Sequence, residues 1–435
     1  MQPVITAVHS NKDQTMNRVS QPIFPSRNIL AFVLVTGLFF LWGMSNNLTD
    51  ILVQQFRKSF ELSPMKAQLV QTAVFFGYFV MAIPAALLMR RWGYKAGILI
   101  GLCLFGGGML LFWPAAVISQ YLPFLGALFV VGCGSATLET AANPFIAQFG
   151  PPQTSEQRLN FCQAFNPPGT ITGVLIGTYA IFSGIEIPAA KVIRMKEAGT
   201  YAPYLHTEIM RVVPTYIVFG CIVLLAALWI GLTPFPKVGE ATTDAKDQGS
   251  FSELLRYPHL WFAVVAQFCY CGAQVSTWSA FIPYMKQYTG VTERQAAIFL
   301  TGNLIALAIG RFVSTGLMRW LRPEIMMATY AIINMVLLSA AILHPGLAGA
   351  YAIIATSFFM SIMFPTIFAL GVKGLGPNTK LGGSIIVMSI VGAALIPPAL
   401  GWIARETSSF AKGYIVAFAA YIVVALYGFL CKRTA

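Results

Sequence analysis

Two carboxylic acids lie inside long apolar runs of the sequence. Asp50 comes near the end of a run that begins at Asn28, and Glu139 lies inside a later run. A charged group near the middle of a bilayer costs about 2.5–3.5 kcal/mol on insertion scales, so an acid there indicates a functional site. Burial favours the neutral form of a carboxyl group, and a group that can be neutral or charged within a membrane can carry a proton. The pair predicts proton coupling, although Asp50 could instead be a solvated helix end.

Amide side chains accompany these acids at helical spacing: Asn46, Asn47, Asn143, Gln163 and Asn166. In the seventh apolar run, polar and aromatic residues recur at steps of three, four and four along one helix face: Gln267, Tyr270, Gln274 and Trp278. Amides and carboxylates offer the donors and acceptors that match sugar hydroxyls, and aromatic rings can lie against a sugar ring. The set predicts a site for a neutral sugar. The alternative for each amide is a helix–helix hydrogen bond, worth about 0.6 kcal/mol on average.

Basic residues are scarce within the apolar runs. Arg311 alone lies at depth, which argues against a phosphate or carboxylate substrate. We expect it to bond carbonyl groups at a helix end or to snorkel, in a gating or scaffold role. Arg90 and Arg91 form a basic turn after the second run, and Arg319 occupies a similar place after the eighth. These turns predict either an inner gate or ordinary positive-inside anchors.

The composition requires membrane helices to position these residues. Of 435 residues, 57% are hydrophobic and 10% are charged, whereas soluble domains carry about 25% charged residues. A net charge of +13 does not indicate nucleic acid, because the bases lie at the ends of apolar runs. About twelve runs are long enough to span a bilayer: 28–54, 67–89, 95–118, 122–148, 158–183, 210–233, 259–285, 294–320, 324–343, 347–371, 381–403 and 411–431.

The sequence shows no sign of an enzyme. The seven cysteines have no metal-ligand spacing, the four histidines lie in tails or loops, and no nucleophile–base pair is visible. We therefore expect no cofactor and no metal, with H⁺ as the coupling ion and Na⁺ still possible.

The twelve runs fall into two groups of six. A polar stretch, 234–256, separates them and predicts a cytoplasmic linker between an N-terminal bundle, 28–233, and a C-terminal bundle, 257–431. Residues 1–27 and 432–435 are predicted cytoplasmic tails. Lys and Arg are somewhat more frequent in the segments on the side of the N-terminus, which places both termini inside. We expect a multi-pass protein of a bacterial inner membrane.

The chain resembles the fucose permease family of sugar:proton symporters within the major facilitator superfamily. The resemblance runs from about Leu38 to about Gly401 and rests on the following stretches: LFFLWGMSNNLTDIL (38–52), FFGYFV (75–80), YKAGILIGL (94–102), LFWPAA (111–116), LETAANPF (138–145), RLNFCQAFN (158–166), AQFCYCGAQVSTWS (266–279), LTGN (300–303), IGRF (309–312) and PTIFALGVKGLG (365–376).

The resemblance implies a fold, a mechanism and roles for particular residues. The fold is all-α, with twelve transmembrane helices in two six-helix pseudo-repeats that rock around a central sugar site. Asp50 takes and releases the proton, and Glu139 links sugar binding to protonation. The sugar-binding positions fall on Asn46, Asn47, Asn143, Gln163 and Asn166, with Gln267, Tyr270, Gln274 and Trp278 as further contacts. A monomer is expected.

Two departures from the fucose permease pattern bear on the substrate. Pro-Pro-Gly follows Asn166 where that pattern has Ser-Phe-Gly, and Met363 and Phe364 replace a Gln and a Tyr. Relatives that take glucose and galactose are more similar here, so the substrate is left as a hexose or deoxyhexose, such as L-fucose, galactose or glucose. A sodium-coupled sugar symporter is one alternative. A membrane sugar sensor without transport is another, although such a sensor would be expected to carry a long cytoplasmic domain.

Overall fold

The chain folds almost entirely into helices. The computed structural model describes residues 28–62, 64–67, 69–181, 189–236 and 250–434, and no strand occurs within these ranges. The α-helices are α1 (Ile29–Ser59), α2 (Pro64–Ala67), α3 (Leu69–Leu110), α4 (Phe112–Ile118), α5 (Tyr121–Gln148), α6 (Ser155–Gln163), α7 (Asn166–Ile176), α8 (Ala189–Glu197), α9 (Tyr201–Met210), α10 (Val212–Leu232), α11 (Phe251–Leu254), α12 (Pro258–Ser279), α13 (Phe281–Thr289), α14 (Glu293–Leu317), α15 (Pro323–Leu343), α16 (Leu347–Met360), α17 (Met363–Val372), α18 (Thr379–Met388), α19 (Gly392–Leu395), α20 (Pro397–Glu406), α21 (Phe410–Gly413) and α22 (Ile415–Thr434).

Each of the twelve predicted apolar runs contains helix. Eight helical stretches within the described ranges are long and apolar enough to cross a membrane, and one of them, Leu69–Ile118, covers both the second and the third predicted runs. The helix α22 continues to Thr434, so most of the predicted C-terminal tail is helical. The N-terminal tail and most of the predicted linker, residues 237–249, lie outside the described residues.

The helical stretches have internal breaks, and three of these lie at or close to a glycine or a proline. The long helix α3 has one non-helical residue, Gly93, with φ 80° and ψ 174°, a conformation that glycine adopts more readily than other residues. The fifth run divides into α6 and α7 just before Pro167, which has no N–H to offer an intrahelical hydrogen bond. The tenth run divides at Ser361, shortly before Pro365. Run length therefore indicates a span but not its internal breaks.

The chain divides into two compact units. The C-terminal unit comprises Ala142–Pro167 and Pro236–Ala435, with the chain up to Phe32, and the N-terminal unit comprises Val33–Ala141 and Pro168–Phe235. The predicted bundles, 28–233 and 257–431, stay a prediction. The units differ from them chiefly because residues 142–167 group with the C-terminal helices.

In the N-terminal unit, α7 packs closely against α1 through a stripe of glycines. A Cβ atom on Gly169 would collide with the carbonyl oxygen of Phe40, and one on Gly173 would collide with that of Met44. The Thr170 hydroxyl donates to the Gly43 carbonyl at 3.3 Å in the same interface. Small residues at four-residue spacing let helix backbones approach, as is common in membranes. The predicted coupling helix, α1, is therefore held by direct backbone contact.

In the C-terminal unit, α12 is the central element. It contacts α17, α19 and α22, while α15 packs on α16 and α22. Close approaches again use glycine: a Cβ on Gly392 would collide with the Phe268 carbonyl, and one on Gly310 with the Phe358 carbonyl. The short helix α6 packs on α14 and α17 within this unit. The residues predicted to bind sugar on α12 therefore lie on the most extensively packed helix of the unit.

Candidate transport site and gate

In the N-terminal unit the helices α1, α3 and α5 bring together the acidic part of the predicted site. The side chains of Asn46, Asn47 and Asp50 lie outside the described part of the structure, although their backbone belongs to α1. Glu139 on α5 is buried, with 2% of its surface exposed. The Trp42 indole on α1 donates from Nε1 to the Tyr78 hydroxyl on α3 at 3.0 Å, and Tyr78 interacts with Glu139. A tyrosine and a tryptophan thus accompany the predicted coupling acid.

In the C-terminal unit two predicted sugar ligands bond to one another. The Gln163 Nε2 atom donates to Asn143 Oδ1 at 3.0 Å, and both residues are buried. The Nδ2 donor of Asn143 has no hydrogen-bond partner among the described residues. A buried amide donor left unpaired costs about 1–3 kcal/mol, and a sugar hydroxyl is one group that would satisfy it. Asn166, at the start of α7, is half-buried.

The face of α12 that was predicted to bind sugar contains two fully buried residues and two partly exposed residues. Tyr270 is fully buried and donates to the Met360 carbonyl at 3.2 Å, and Gln267 is fully buried with Nε2 at 3.7 Å from Cys271 Sγ. Gln274 is half-buried, as is Trp278, whose Nε1 donates to Ser357 Oγ at 3.1 Å. Tyr270 therefore makes a helix–helix hydrogen bond, whereas the contact of Gln267 lies within α12 and its Oε1 has no hydrogen-bond partner among the described residues.

Arg311 joins the ends of two helices in the C-terminal unit. Its Nε donates to the carbonyl of Ser361, just after α16, at 2.7 Å, and its Nη1 donates to the carbonyl of Gln163, the last residue of α6, at 2.9 Å. Carbonyls at helix C-termini carry partial negative charge and favour a cation. Arg311 thus takes the carbonyl-bonding position that the sequence allowed, and its contact at Gln163 reaches a predicted sugar ligand.

Three further polar contacts connect α6 to the C-terminal helices, and together with the Arg311–Gln163 bond they form what we call the α6 interface. Lys373 Nζ lies 3.2 Å from Glu156 Oε1. Gln157 Nε2 donates to the Thr315 carbonyl at 2.9 Å, and Asn160 Nδ2 donates to Thr366 Oγ1 at 3.1 Å. These contacts lie in the segment, residues 142–167, that groups with the C-terminal helices.

The two other predicted gate residues make no such contacts among the described residues. Arg90 is half-buried and Arg91 is exposed, with its guanidinium 5.6 Å from the centre of the Trp92 ring. Both precede the break at Gly93, as expected of a basic turn between two spans. A gating role for Arg90 and Arg91 stays a prediction.

Sequence reasoning missed several polar residues that the structure places at these sites. Tyr78 accompanies Glu139, Glu156 lies on α6, and Ser357 Oγ accepts from the Trp278 indole at 3.1 Å. Each is isolated within its own run, so its role depends on a partner from another helix and not on spacing. Of these residues, Tyr78 could most easily have been found from the sequence, because it is a phenol within the apolar stretch FFGYFV.

The match to a family model decides the classification. The model described as the Major Facilitator Superfamily matches residues 33–382. The chain belongs to the Major Facilitator Superfamily. Its membrane-embedded, multi-pass character and its fold, predicted from the apolar runs and the resemblance, are thereby confirmed.

Relatives within the Major Facilitator Superfamily match almost the whole chain. The L-fucose-proton symporter of Escherichia coli K12 is 40% identical over 433 residues, which cover 98% of this chain and 99% of that protein. A glucose/galactose transporter of Brucella abortus (strain 2308) is 32% identical over 409 residues, 93% of this chain and 94% of that one. A crystal structure of the E. coli fucose:proton symporter FucP matches with a TM-score of 0.86 at 39% identity, over 93% of this chain and 99% of that chain. These relatives are transporters, in agreement with the prediction that the chain is not an enzyme.

Proposed function

We propose that this superfamily member imports a neutral hexose or deoxyhexose together with protons across a bacterial inner membrane. The observation that carries the proposal is the placement of a buried carboxyl group, Glu139, beside the Tyr78 phenol within apolar helices. A carboxyl group in such surroundings can take up and release a proton during a transport cycle. Relatives named as fucose-proton symporters and as glucose/galactose transporters support both the proton and the substrate class.

The sugar would bind to amide side chains and aromatic faces. We assign Asn143, Gln163 and Asn166 as ligands, with Asn46 and Asn47 from α1. On α12 we assign the half-buried Gln274 and Trp278 as direct contacts. Tyr270 is assigned as a support, because its hydroxyl bonds the Met360 carbonyl, while Gln267 stays a candidate ligand through Oε1, which has no hydrogen-bond partner among the described residues. Neutral donors and acceptors suit hydroxyl groups, while the bonds of Arg311 to two carbonyls leave it poorly placed to hold an anionic sugar.

The α6 interface is a gate in this proposal. Alternating access requires contacts at one end of the transporter to form and break in turn. Gln163 connects the interface to the sugar, because its side chain bonds Asn143 while its carbonyl accepts from Arg311. A sugar that displaces the Asn143–Gln163 bond would disturb the position of Gln163 and weaken the contact with Arg311. Arg90 and Arg91 are assigned to the cytoplasmic side of the membrane, as are both termini.

The test separates proton coupling from sugar binding. Asp50→Asn imitates the protonated acid, so we expect it to retain sugar counterflow but to lose accumulation of sugar against a gradient. Glu139→Gln is expected to weaken sugar binding more, because α5 also carries Asn143 one turn further on. Both variants are measured beside the wild type in membrane vesicles, as uptake and as counterflow. Accumulation by Asp50→Asn equal to that of the wild type under a proton gradient would show that Asp50 is not the coupling acid.

The same vesicles identify the coupling ion and the substrate class. An imposed proton gradient at constant Na⁺ should drive uptake, while an imposed Na⁺ gradient at fixed pH should not. Fucose, galactose and glucose are tested as competitors, with glucose 6-phosphate as the charged control. Uptake driven by Na⁺ alone, or competition by the phosphate ester as strong as that by glucose, would contradict the proposal.

A further inference from the structure

Tyr78 lies where three helices of the N-terminal unit meet. It is on α3, with 6% of its surface exposed; its hydroxyl accepts from Trp42 of α1 at 3.0 Å and interacts electrostatically with Ser135 and Glu139 of α5. Ser135 and Glu139 are four residues apart, so they share one face of α5. The phenol is therefore directed at the turn of α5 that carries the predicted coupling acid.

Close backbone packing fixes this position. A Cβ on Gly77 would lie 2.7 Å from the Phe129 carbonyl oxygen and 2.8 Å from the Cys133 nitrogen, and one on Gly132 would collide with the Val74 carbonyl. The backbones of α3 and α5 are thus in contact next to Tyr78. A residue held in this way has little freedom to move away from Glu139.

The donors and acceptors of Trp42, Ser135 and Glu139 determine which of these groups receives the hydroxyl proton of Tyr78. The indole N–H of Trp42 can only donate, so the Tyr78 oxygen accepts at 3.0 Å. The Ser135 hydroxyl can donate to the remaining lone pair of the same oxygen. The single Tyr78 proton is then available for the carboxylate oxygen of Glu139, which only accepts when ionised.

We propose that Tyr78 is a positioning residue for proton transfer, which donates a hydrogen bond to Glu139 when that acid is ionised and is itself oriented by Trp42. The inference rests on the proposed function, because it gives Tyr78 a role in the proton cycle of Glu139. Among the described side chains of α3, Tyr78 is the titratable group that interacts with Glu139. Trp42, which does not titrate, comes from α1, whose Asp50 side chain is outside the described residues.

The experiment is the pH profile of sugar counterflow in vesicles for wild type and Tyr78→Phe. Phenylalanine keeps the ring and removes the donor, so the ionised form of Glu139 loses one hydrogen bond. A charge-assisted hydrogen bond corresponds to roughly one pH unit in the balance between the two forms. We therefore expect the pH at which counterflow falls to half to move about one unit toward alkaline values, with counterflow at acidic pH retained.

Three variants make the result decisive. Tyr216→Phe is the matched control, because Tyr216 is a buried tyrosine of the same unit that stacks on Phe112 at 4.0 Å between ring centres. Its profile should equal that of the wild type. Glu139→Gln should lose the pH dependence, and Tyr78→Phe combined with Glu139→Gln should behave like Glu139→Gln alone, because Tyr78 acts through the acid.

The outcomes separate this inference from the proposed function. Wild-type pH dependence in Glu139→Gln would overturn the coupling role of Glu139 and with it the proposed function. A pH-insensitive Glu139→Gln together with an unshifted Tyr78→Phe would overturn the role of Tyr78 alone. Loss of counterflow at every pH in Tyr78→Phe, with a further loss in the double variant, would show that Tyr78 is structural.

Discussion

Met363 and Phe364 are neighbours in the chain, but their surroundings differ. Met363 is fully buried, whereas Phe364 is half-buried with its ring centre 6.4 Å from that of Tyr270. Both residues depart from the fucose permease pattern, and together they would make an apolar wall if they face the sugar. We expect Phe364 to contact a sugar more than Met363 does, because Met363 has no exposed surface and no polar group that a sugar could bond.

A pair of substitutions tests this difference. Phe364→Tyr adds a hydroxyl at an accessible position, so the ranking of fucose, galactose, glucose and N-acetylglucosamine as competitors should change. Met363→Gln buries an amide and should lower stability by about 1–3 kcal/mol while leaving the ranking alone. Competition assays and thermal unfolding in detergent measure the two effects. An unchanged ranking in Phe364→Tyr would show that this wall does not face the sugar.

At the residue scale, spacing predicted which amides and acids are buried but not the groups they bond. Asn143, Gln163 and Glu139 lie inside the helices as expected. Tyr270 was placed on the correct face, yet its hydroxyl bonds the Met360 carbonyl. That partner is more than eighty residues away in the chain, and spacing within one helix carries no information about it. The contacts of Tyr78 and Glu156 were missed for the same reason.

Among the helices, the contact between α7 and α1 is the one most sensitive to side-chain size. The stripe is formed by Gly169 and Gly173 of α7 and by Gly177 directly after it, where a Cβ would collide with the Ile51 side chain. Because α1 carries Asp50, this contact also sets the position of the predicted coupling acid. The stripe could have been read from the sequence as glycines at four-residue spacing, but its partner helix could not.

Gly173→Ala tests the stripe, with Gly37→Ala as the matched control. Both glycines are in helices of the N-terminal unit, but a Cβ on Gly37 would have no atom within 4 Å. Alanine favours a helix over glycine by about 1 kcal/mol, so Gly37→Ala should be neutral or slightly stabilising. Gly173→Ala should be destabilising by about 1–3 kcal/mol, because the backbones must separate. Thermal unfolding of the two purified variants should shift in opposite directions, and equal shifts would refute the close contact.

Helix ends were the least predictable feature at this scale. Twelve runs were found from apolar length alone, and each contains helix. The division of the fifth run into α6 and α7 was not predicted, although Pro167 and Pro168 were visible. A proline inside an apolar run is compatible with a continuous helix, as Pro144 within α5 shows, so tertiary contacts decide which prolines end a helix.

For the whole molecule, the bias of Lys and Arg predicts that both termini and the 234–256 segment are cytoplasmic. Ala245→Cys and Thr200→Cys, each in a background without the seven native cysteines, place one probe in that segment and one just before α9. An impermeant thiol reagent applied from one side of oriented vesicles should label one probe and not the other. Labelling of both probes from the same side would refute the predicted topology.

The grouping of helices into units depends on contacts between distant parts of the chain, which cannot be inferred from amino-acid composition. The polar segment after α10 indicates where the chain leaves one group of six runs for the next. It does not indicate that α6, which precedes it by many residues, bonds helices that follow it. Those bonds join polar groups at helix ends, where the sequence resembles any other membrane loop.

Two of the contacts at the α6 interface end on backbone carbonyls, those of Gln163 and Thr315, and Arg311 also bonds the carbonyl of Ser361. A backbone acceptor persists whatever side chain its residue carries. The acceptor positions are therefore free to diverge in evolution while the donors, Arg311 and Gln157, must be retained. Pairwise covariation between homologues would detect the Glu156–Lys373 ion pair but would not detect the carbonyl contacts, and suppressor screens would recover compensating changes only at the donors.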